Sequence, residues 1–484
     1  GDYLGRDVQM IPHVTGEVKY RLRKLAMTGG PNGGPADVVF VEVGGTVGDY
    51  ENGFYIEALR ELAFEEGPQS TCFVALTYII EPPILGEQKS KAAQLGIKRL
   101  MEAGIQPHIV ACRAQHPVSK TVQQKMAMFS NVPMNRVFSM HDRESIYVIP
   151  EAMRAEGLDR EILTILNLHN RVDTQHEDRA RQKWSEFSNR ITAPRKFDIT
   201  ISILGKYAAL RDAYASVDKA IEHACTQLSV NPDVRWLDTS EINTSNVNKH
   251  LGEQTTHAVI VPGGFGERGV EGKIACVQFA RVNRIPYLGL CLGMQMAVIE
   301  YARNVLNLPG AHSTEFNPGC EHPVICELPE QRKIEGMGGS MRLGAQDVAV
   351  EPGSLASFLF ENRPLIHERF RHRYEVNPAY VDRLSQAGLH FSGRHPRHNI
   401  MQVIELPPDV HPYFVAGQFH PELTSRPLNP QPMFMGLIAA AIARANPELT
   451  RDAIPGGSRW LRPFGLAHPP VETVAQSRSM QPTA

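Results

Sequence analysis

The sequence predicts an α/β protein built from two doubly wound parallel-sheet domains. Apolar runs of strand length recur at residues 37–43, 71–80, 108–113, 197–204 and 258–261. Near-continuous runs of this kind mark strands buried on both faces, as in a parallel sheet. Helical stretches lie between them in the first half, giving the βαβα rhythm of such sheets. At 484 residues the chain is also too long for one ordinary domain.

In chain order, residues 15–27 read as a helix and 28–35 as a Gly/Pro/Asn-rich loop. Residues 37–43 read as the first buried strand, ending in Glu42-Val-Gly-Gly-Thr-Val-Gly-Asp-Tyr-Glu51. A second strand, 71–80, follows a helical stretch, and a third, 108–113, follows an amphipathic helix over 91–103. Residues 169–195 are polar and charged and read as a surface linker, helical in part. Residues 197–204 open a second α/β domain, and the Pro/Gly/Ser-rich end is expected to form a poorly ordered tail. The expected boundaries are 1–168, a linker over 169–196, 197–446, and a tail over 447–484.

Composition narrows the function. With 42% hydrophobic and 21% charged residues the chain is of ordinary soluble type, and a formal charge of −2 lacks the basic surplus of a general nucleic-acid binder. No apolar run reaches membrane-spanning length. The seven cysteines are scattered, odd in number and without metal-ligand spacing, which fits reduced thiols in a cytoplasm.

One of those cysteines sits where a nucleophile belongs. Tyr287-Leu-Gly-Leu-Cys-Leu-Gly-Met-Gln-Met-Ala297 reads as a short strand, a tight turn at Cys291 and the start of a helix. Flanking small residues let the backbone take a strained turn that lifts the side chain clear. The helix N-terminus favours thiolate over thiol, and its N–H groups suit an oxyanion. A buried structural cysteine is the plainer reading of this segment by itself.

A second stretch, Phe414-Val-Ala-Gly-Gln-Phe-His-Pro-Glu-Leu423, supplies a base and an orienting acid. On an extended segment His420 and Glu422 point the same way, and Pro421 keeps that segment out of a helix. Glu422 then fixes the His420 tautomer, completing a nucleophile–base–orienter set with Cys291.

With these residues the chain resembles the class I glutamine amidotransferases. The turn Pro262-Gly-Gly-Phe-Gly266 resembles their oxyanion loop. The resemblance implies that glutamine is held by Gly264, Leu292, Gly293, Met294, Gln295, Glu315 and Arg373. Glu315 suits the α-ammonium, and the planar fork of Arg373 suits the α-carboxylate.

The first half narrows the likeness. Val-Gln-Met-Ile-Pro-His13, Val-Glu-Val-Gly-Gly-Thr-Val-Gly-Asp49, Gly-Glu-Gln-Lys-Ser-Lys91 and Asp142-Arg-Glu-Ser-Ile-Tyr147 resemble the synthase domain of the CTP synthase family. Ile203-Leu-Gly-Lys-Tyr207, Asp212-Ala-Tyr214, Gly338-Gly-Ser-Met-Arg-Leu-Gly-Ala345 and Arg371-His-Arg-Tyr-Glu-Val-Asn377 extend the match through the second half. The fold this implies is a partial P-loop-like synthase domain joined to an amidotransferase domain.

The implied reaction is ATP-dependent amination of UTP to CTP with ammonia from glutamine. CTP acts as feedback inhibitor, GTP as an activator near residues 266–269, and the assembly is a cytoplasmic homotetramer without nucleic-acid or membrane partners. Glu42 is the implied Mg²⁺ ligand. Asp49, Tyr50, Glu51, Lys89, Ser90, Lys91, Ala92, Ala93, Gln94 and Lys125 are implied to hold CTP or UTP, and His141, Asp142 and Arg143 to hold ATP.

Three departures stand out. No Gly-x-x-x-x-Gly-Lys-Ser/Thr loop occurs, and the chain opens at Gly1, so an N-terminally truncated synthase is expected. Ala92 and Ala93 replace a usual Pro-Thr pair. His141 replaces a usual Lys. The alternatives are a glutaminase or an amidotransferase serving another acceptor, with synthase activity lost, and an idle scaffold subunit.

Overall fold

A computed structural model describes residues 5–83, 86–205, 214–253, 255–328 and 341–461. Residues 206–207, 212–213 and 338–340 of the motifs above, and 462–484 of the expected tail, lie outside the described residues. Two compact units divide at residues 192 and 193.

In the first unit, helices α1 (Thr15–Thr28) and α2 (Gly53–Glu66) are joined by ion pairs. Lys19 lies 2.6 Å from Glu61, and Arg23 reaches Glu65 at 2.7 Å and Glu66 at 2.6 Å. A βαβαβ segment follows: β1 (Val74–Tyr78), α3 (Lys91–Glu102), β2 (Ile109–Ala114), α4 (Lys120–Ser130) and β3 (Val137–His141). Its three strands are parallel, in the order β1-β2-β3. Val110 and Cys112 of the central strand pack with Ile97, Val122 and Met126. Ile109 packs instead with Phe138 and Leu158. Helices α5 (Ile149–Ala155), α6 (Leu158–Ile165) and α7 (Thr174–Thr192) complete the unit.

Two expectations change here. Residues 37–43 form no strand, and Val38, Phe40 and Val41 are exposed. An apolar run becomes a strand only where neighbours complete its ladder, and none of the described strands pairs with it. The expected linker is largely helix α7, which belongs to the first unit. Trp184 Nε1 donates to the Tyr147 carbonyl at 2.9 Å, and Phe187 and Ser188 are buried. Side chains three and four apart share one helix face, so a sparse apolar stripe is enough to dock a polar helix.

The second unit runs β4 (Phe197–Gly205), α8 (Ala215–Leu228), β5 (Val230–Asp238), β6 (Ala258–Val261), α9 (Val270–Val282), β7 (Tyr287–Leu290) and α10 (Leu292–Asn304). Then come β8 (Ala311–Ser313), β9 (His322–Cys326), β10 (Arg342–Val350), α11 (Leu355–Leu359), β11 (Leu365–His372) and β12 (Glu375–Val376). The remainder is α12 (Pro378–Gln386), β13 (His390–Arg394), β14 (Met401–Glu405), β15 (Phe414–Gly417), α13 (Pro432–Ala445) and α14 (Gly457–Trp460).

Nine strands form one sheet in the order β11-β10-β13-β14-β15-β7-β6-β4-β5. From β15 to β5 the pairings are parallel, and from β11 to β15 they are antiparallel, so the sheet is mixed rather than wholly parallel. A smaller sheet has the order β12-β9-β8.

Alternation along the central strands builds a core on each face. Ala258 and Ile260 of β6 pack with residues of α8 and α13, whereas Val259 and Val261 pack with those of α9 and α10. Each Ile, Leu or Val buried this way stabilises the fold by about 1.5–3 kcal/mol. Part of the expected tail joins this core: Ile454, Trp460 and Leu461 are buried in it.

Candidate active site

Adjacent parallel strands end at the same sheet edge, and loops after those carboxyl ends are where such folds place ligands. β7 and β15 are such a pair, with Leu290 opposite Gly417. Cys291 follows the first and Gln418, Phe419 and His420 follow the second. The Cys291 N–H donates to the Gly417 carbonyl at 2.8 Å, fastening the two ends together.

Cys291 has φ 51° and ψ −98°, a left-handed conformation costing about 1–3 kcal/mol for a non-glycine residue. The turn is sustained by close packing on both sides. A Cβ on Gly293 would stand 2.2 Å from the Val261 carbonyl oxygen, and one on Gly289 would stand 2.8 Å from Ala416 Cβ. Tyr287 Oη donates to the Gly293 carbonyl at 2.8 Å beneath the turn. The side chain of Cys291 is 4% exposed. Its Sγ lies 3.9 Å from the Arg371 carbonyl, and Gln418 Nε2 donates to it over 3.6 Å. Elsewhere burial pushes the Cys112 and Cys276 thiols up to about 12, as expected of inert core cysteines.

His420 Nδ1 lies 2.7 Å from Glu422 Oε1. The pair does not form on an extended segment, as the sequence suggested. Residues Pro421–Leu423 make a 3₁₀ turn with Pro421 at its start, and Glu422 folds back onto the ring. Proline is accepted in a first helical turn because its missing N–H has no partner to lose there. Burial pulls the imidazole down, but the adjacent Cys291 sulfur and Glu422 carboxylate outweigh it and push it up to about 10. Gly263 packs against this ring: a Cβ there would stand 2.6 Å from His420 Cε1 and 3.5 Å from Cys291 Cβ.

Of the expected glutamine-contact residues, Leu292 to Gln295 belong to this elbow. Leu292, Gly293, Met294 and Gln295 form the first turn of α10, and all four are buried. The Met294 and Gln295 N–H groups donate to the Cys291 carbonyl at 3.1 and 3.4 Å, and the Leu292 and Gly293 N–H groups precede them at the helix start, where no acceptor within the helix exists. Gln295 Nε2 donates to the Tyr374 carbonyl at 2.9 Å, drawing the bend that holds Arg373 toward α10. Arg373 is exposed, Glu315 is half-buried beyond β8, and Gly264 is exposed with Leu292 Cδ2 3.6 Å from its would-be Cβ.

In the first unit the expected nucleotide residues lie before α2, at the start of α3, on α4 and at the end of β3. Lys89 pairs with Glu87. Lys89 and, less strongly, Lys125 on α4 hold the Glu87 carboxyl below its usual range. Lys91 lies over the Phe129 ring at 5.7 Å, and Ser90 Oγ accepts from Gln94 Nε2 at 3.0 Å. Ala92 is exposed, but Ala93 is 2% exposed and packs in the core, so its side chain cannot meet a nucleotide.

His141 Nδ1 lies 3.0 Å from Ser139 Oγ, Asp142 pairs with Arg113 at 2.7 Å, and Arg143 is exposed. Asp49 Oδ2 accepts from the Thr46 N–H at 3.0 Å, while Tyr50 and Glu51 are exposed. Glu42 stands exposed on the unpaired stretch, and among the described residues no three His, Cys, Asp or Glu gather to hold a metal. These residues alone do not fit a Mg²⁺ site. No described helix is long and apolar enough to cross a membrane.

One close neighbour of the sulfur, Gln418, has no role in the sequence reading, whereas Gly263 belongs to the turn expected to be the oxyanion loop. Gln418 lies two positions before His420, where the strand's alternation was the available signal.

Comparison with known proteins shows the family. The CTP synthase N-terminus family model matches residues 1–168, and the class-I glutamine amidotransferase model matches residues 209–440. A CTP synthase of Methanopyrus kandleri is 45% identical over 91% of this chain and 80% of its own length. One of Haloarcula hispanica is 43% identical over 94% of this chain and 78% of its own. A solved glutaminase domain of Trypanosoma brucei CTPS, with bound acivicin, is 39% identical, covers 50% of this chain and 93% of its own, and has a TM-score of 0.47. The identity to the two CTP synthases, over more than nine-tenths of the chain and more than three-quarters of theirs, shows that the chain belongs to the CTP synthase family.

Proposed function

We propose that this chain aminates UTP to CTP at the expense of ATP, taking ammonia from glutamine at Cys291. The observation that carries this reading is the His420–Glu422 pair, 2.7 Å apart, at a cysteine elbow in a chain whose first half matches the CTP synthase N-terminus.

In this reading Glu315 holds the α-ammonium of glutamine and Arg373 its α-carboxylate. Cys291, reactive as thiolate, attacks the side-chain amide carbon. N–H groups of the Gly263–Gly264 turn and the first turn of α10 receive the oxyanion, each such donor being worth about 10²–10³ in rate. His420 gives its proton to the leaving nitrogen while Glu422 steadies the imidazolium. Ammonia departs, a γ-glutamyl thioester remains on Cys291, and water drawn by neutral His420 hydrolyses it to glutamate.

At the synthase site ATP phosphorylates the uracil 4-oxygen, and ammonia displaces that phosphate. Lys89, Ser90, Lys91, Gln94 and Lys125 are assigned to the pyrimidine nucleotide's phosphates, the compact ammonium charges suiting a triphosphate. His141, Asp142 and Arg143 are assigned to ATP. Asp49, Tyr50 and Glu51 are assigned to CTP as product and inhibitor. ATP is used together with Mg²⁺, for which Glu42 by itself makes no site. GTP activation at residues 266–269, a homotetramer and a cytoplasmic location complete the proposal.

The test measures CTP formed from UTP and ATP with glutamine and, separately, with ammonium chloride, for the unaltered chain and Cys291→Ala. CTP from both nitrogen sources, with only the glutamine route lost in the variant, supports the reading. Glutamine hydrolysis without CTP from either source overturns its synthase half.

A further inference from the structure

Strand β11 alternates strictly between exposed and buried residues, and its buried face carries Ile366, Glu368 and Phe370. An acid between two core hydrophobics requires partners, because burying an unpaired carboxylate is strongly unfavourable. Glu368 is 4% exposed. Its Oε2 accepts from Thr424 Oγ1 at 2.9 Å, and its Oε1 accepts from Gln431 Nε2 at 3.1 Å.

Both partners lead to the triad or its support. Thr424 closes the turn that carries Glu422, and its hydroxyl also lies 3.0 Å from the Pro421 carbonyl. The next residue on β11, Arg369, accepts the His420 N–H at 2.8 Å through its carbonyl. Glu422 uses Oε1 for His420, while its Oε2 is buried with no hydrogen-bond partner among the described residues. One buried acid is therefore linked to another through the turn that carries Thr424.

The groups around Glu368 can be taken element by element. Glu422 comes from the 3₁₀ turn. His367 and Arg369 flank Glu368 on its own strand, where His367 pairs with Asp347 of β10 at 2.8 Å. From α8, His223 reaches Ser425 at 3.0 Å, and burial pushes its ring down to about 4, leaving it neutral. Arg426 follows the turn, and the first turn of α13 brings no acid. Burial pushes the Glu368 carboxyl up to about 7, the bonds from Thr424 and Gln431 pull against that, and the Glu422 carboxylate adds to the rise.

We propose that Glu368 is a positioning residue of the triad: a carboxyl near Glu422 that bears a proton in the resting site and, on losing it, strengthens the hold of the His420–Glu422 pair on its own proton. This rests on the glutaminase reading of Cys291. The protonated acid donates to Thr424, whose hydroxyl then donates to the Pro421 carbonyl alone. Deprotonation places a second negative charge near Glu422, which favours the imidazolium. Thioester hydrolysis needs neutral His420 and amide cleavage needs the imidazolium, so the balance between the steps shifts with this proton.

Glu368→Gln is the matched variant. Its amide oxygen can face Gln431 and its NH₂ can face Thr424, reproducing the protonated acid. The expected result for the full chain is an ionisation near pH 7 in the rate of glutamine hydrolysis, about threefold across pH 6–8, that the variant lacks while its KM is little changed. Infrared difference spectra between pH 6 and 8 should show a protonated-carboxyl band lost in the unaltered chain and absent from the variant. Superimposable pH profiles, or no such band in the unaltered chain, overturn the proposal. Should the variant fail to fold, the band of the unaltered chain decides. Absence of any glutamine hydrolysis strikes the glutaminase reading instead, and the band still judges the proton.

Discussion

Nε2 of Gln418 lies 3.6 Å from Sγ of Cys291, and both side chains are buried. The same amide accepts from Gln295 Nε2 at 3.4 Å, so the nucleophile, Gln418 and Gln295 form one chain of contacts. A neutral donor aimed at a sulfur that becomes negative stabilises the form that attacks. Gln418→Leu should lower kcat/KM for glutamine by about 10–100-fold while ammonia-dependent CTP formation stays near that of the unaltered chain. Parallel assays with the two nitrogen sources check it, and equal loss in both would show a general structural defect instead.

Gly263→Ala places a methyl 2.6 Å from His420 Cε1, closer than any side chain tolerates, with the ring tied to Glu422 through Nδ1. Displacing a base by about 1 Å can reduce the rate about 10²-fold. Glutamine hydrolysis should fall by that order, and labelling of Cys291 with a glutamine-analogue electrophile should slow with it. Unchanged labelling would mean that the loop yields.

The pH dependence of stability has a definite sign. His420 is raised to about 10 in the folded chain against an ordinary value of about 6.5. Its contribution is fully present below pH 6.5 and is lost as pH rises through about 10, because in that window the folded state binds the proton and the unfolded state does not. Thermal unfolding of the second unit should therefore weaken from pH 7 to 10. Cys291→Ala removes the sulfur and should flatten that slope, which scanning calorimetry at several pH values reads directly.

Trp460 and Leu461 are buried against the core that α13 shares with the sheet. Trp460→Ala should lower stability by about 3–5 kcal/mol, the usual effect of emptying an aromatic site. Calorimetry checks this through a fall of about 10 °C in the unfolding of the second unit. An unchanged transition would show that the segment beyond Ala445 contributes nothing.

The triad was legible because each member stands in a short segment with its own local signal. Glycines flank Cys291, and His420 and Glu422 share one turn. Gln418 carried no comparable signal, since its role consists of being close to a residue far away in sequence. The run over 37–43 shows the converse: its composition suits a buried strand, yet it has no ladder among the described residues. Residues 169–196 and 447–461 looked like linker and tail because a few buried side chains, Phe187 in one and Trp460 in the other, are outnumbered by polar neighbours.

The sequence by itself determined the α/β class, the two-part organisation, the nucleophile with its base and acid, and the family. Those follow from local periodicity, glycine spacing and short motifs, all of which act within about a dozen residues. The tertiary structure decided which strands pair and therefore what meets at the elbow. Setting β7 beside β15 puts Gln418 on the Cys291 sulfur, and the β11 register puts Glu368 near Glu422. Contacts between residues dozens to more than a hundred positions apart depend on sheet order and burial, and burial raises the Glu368 carboxyl and lowers the His223 ring.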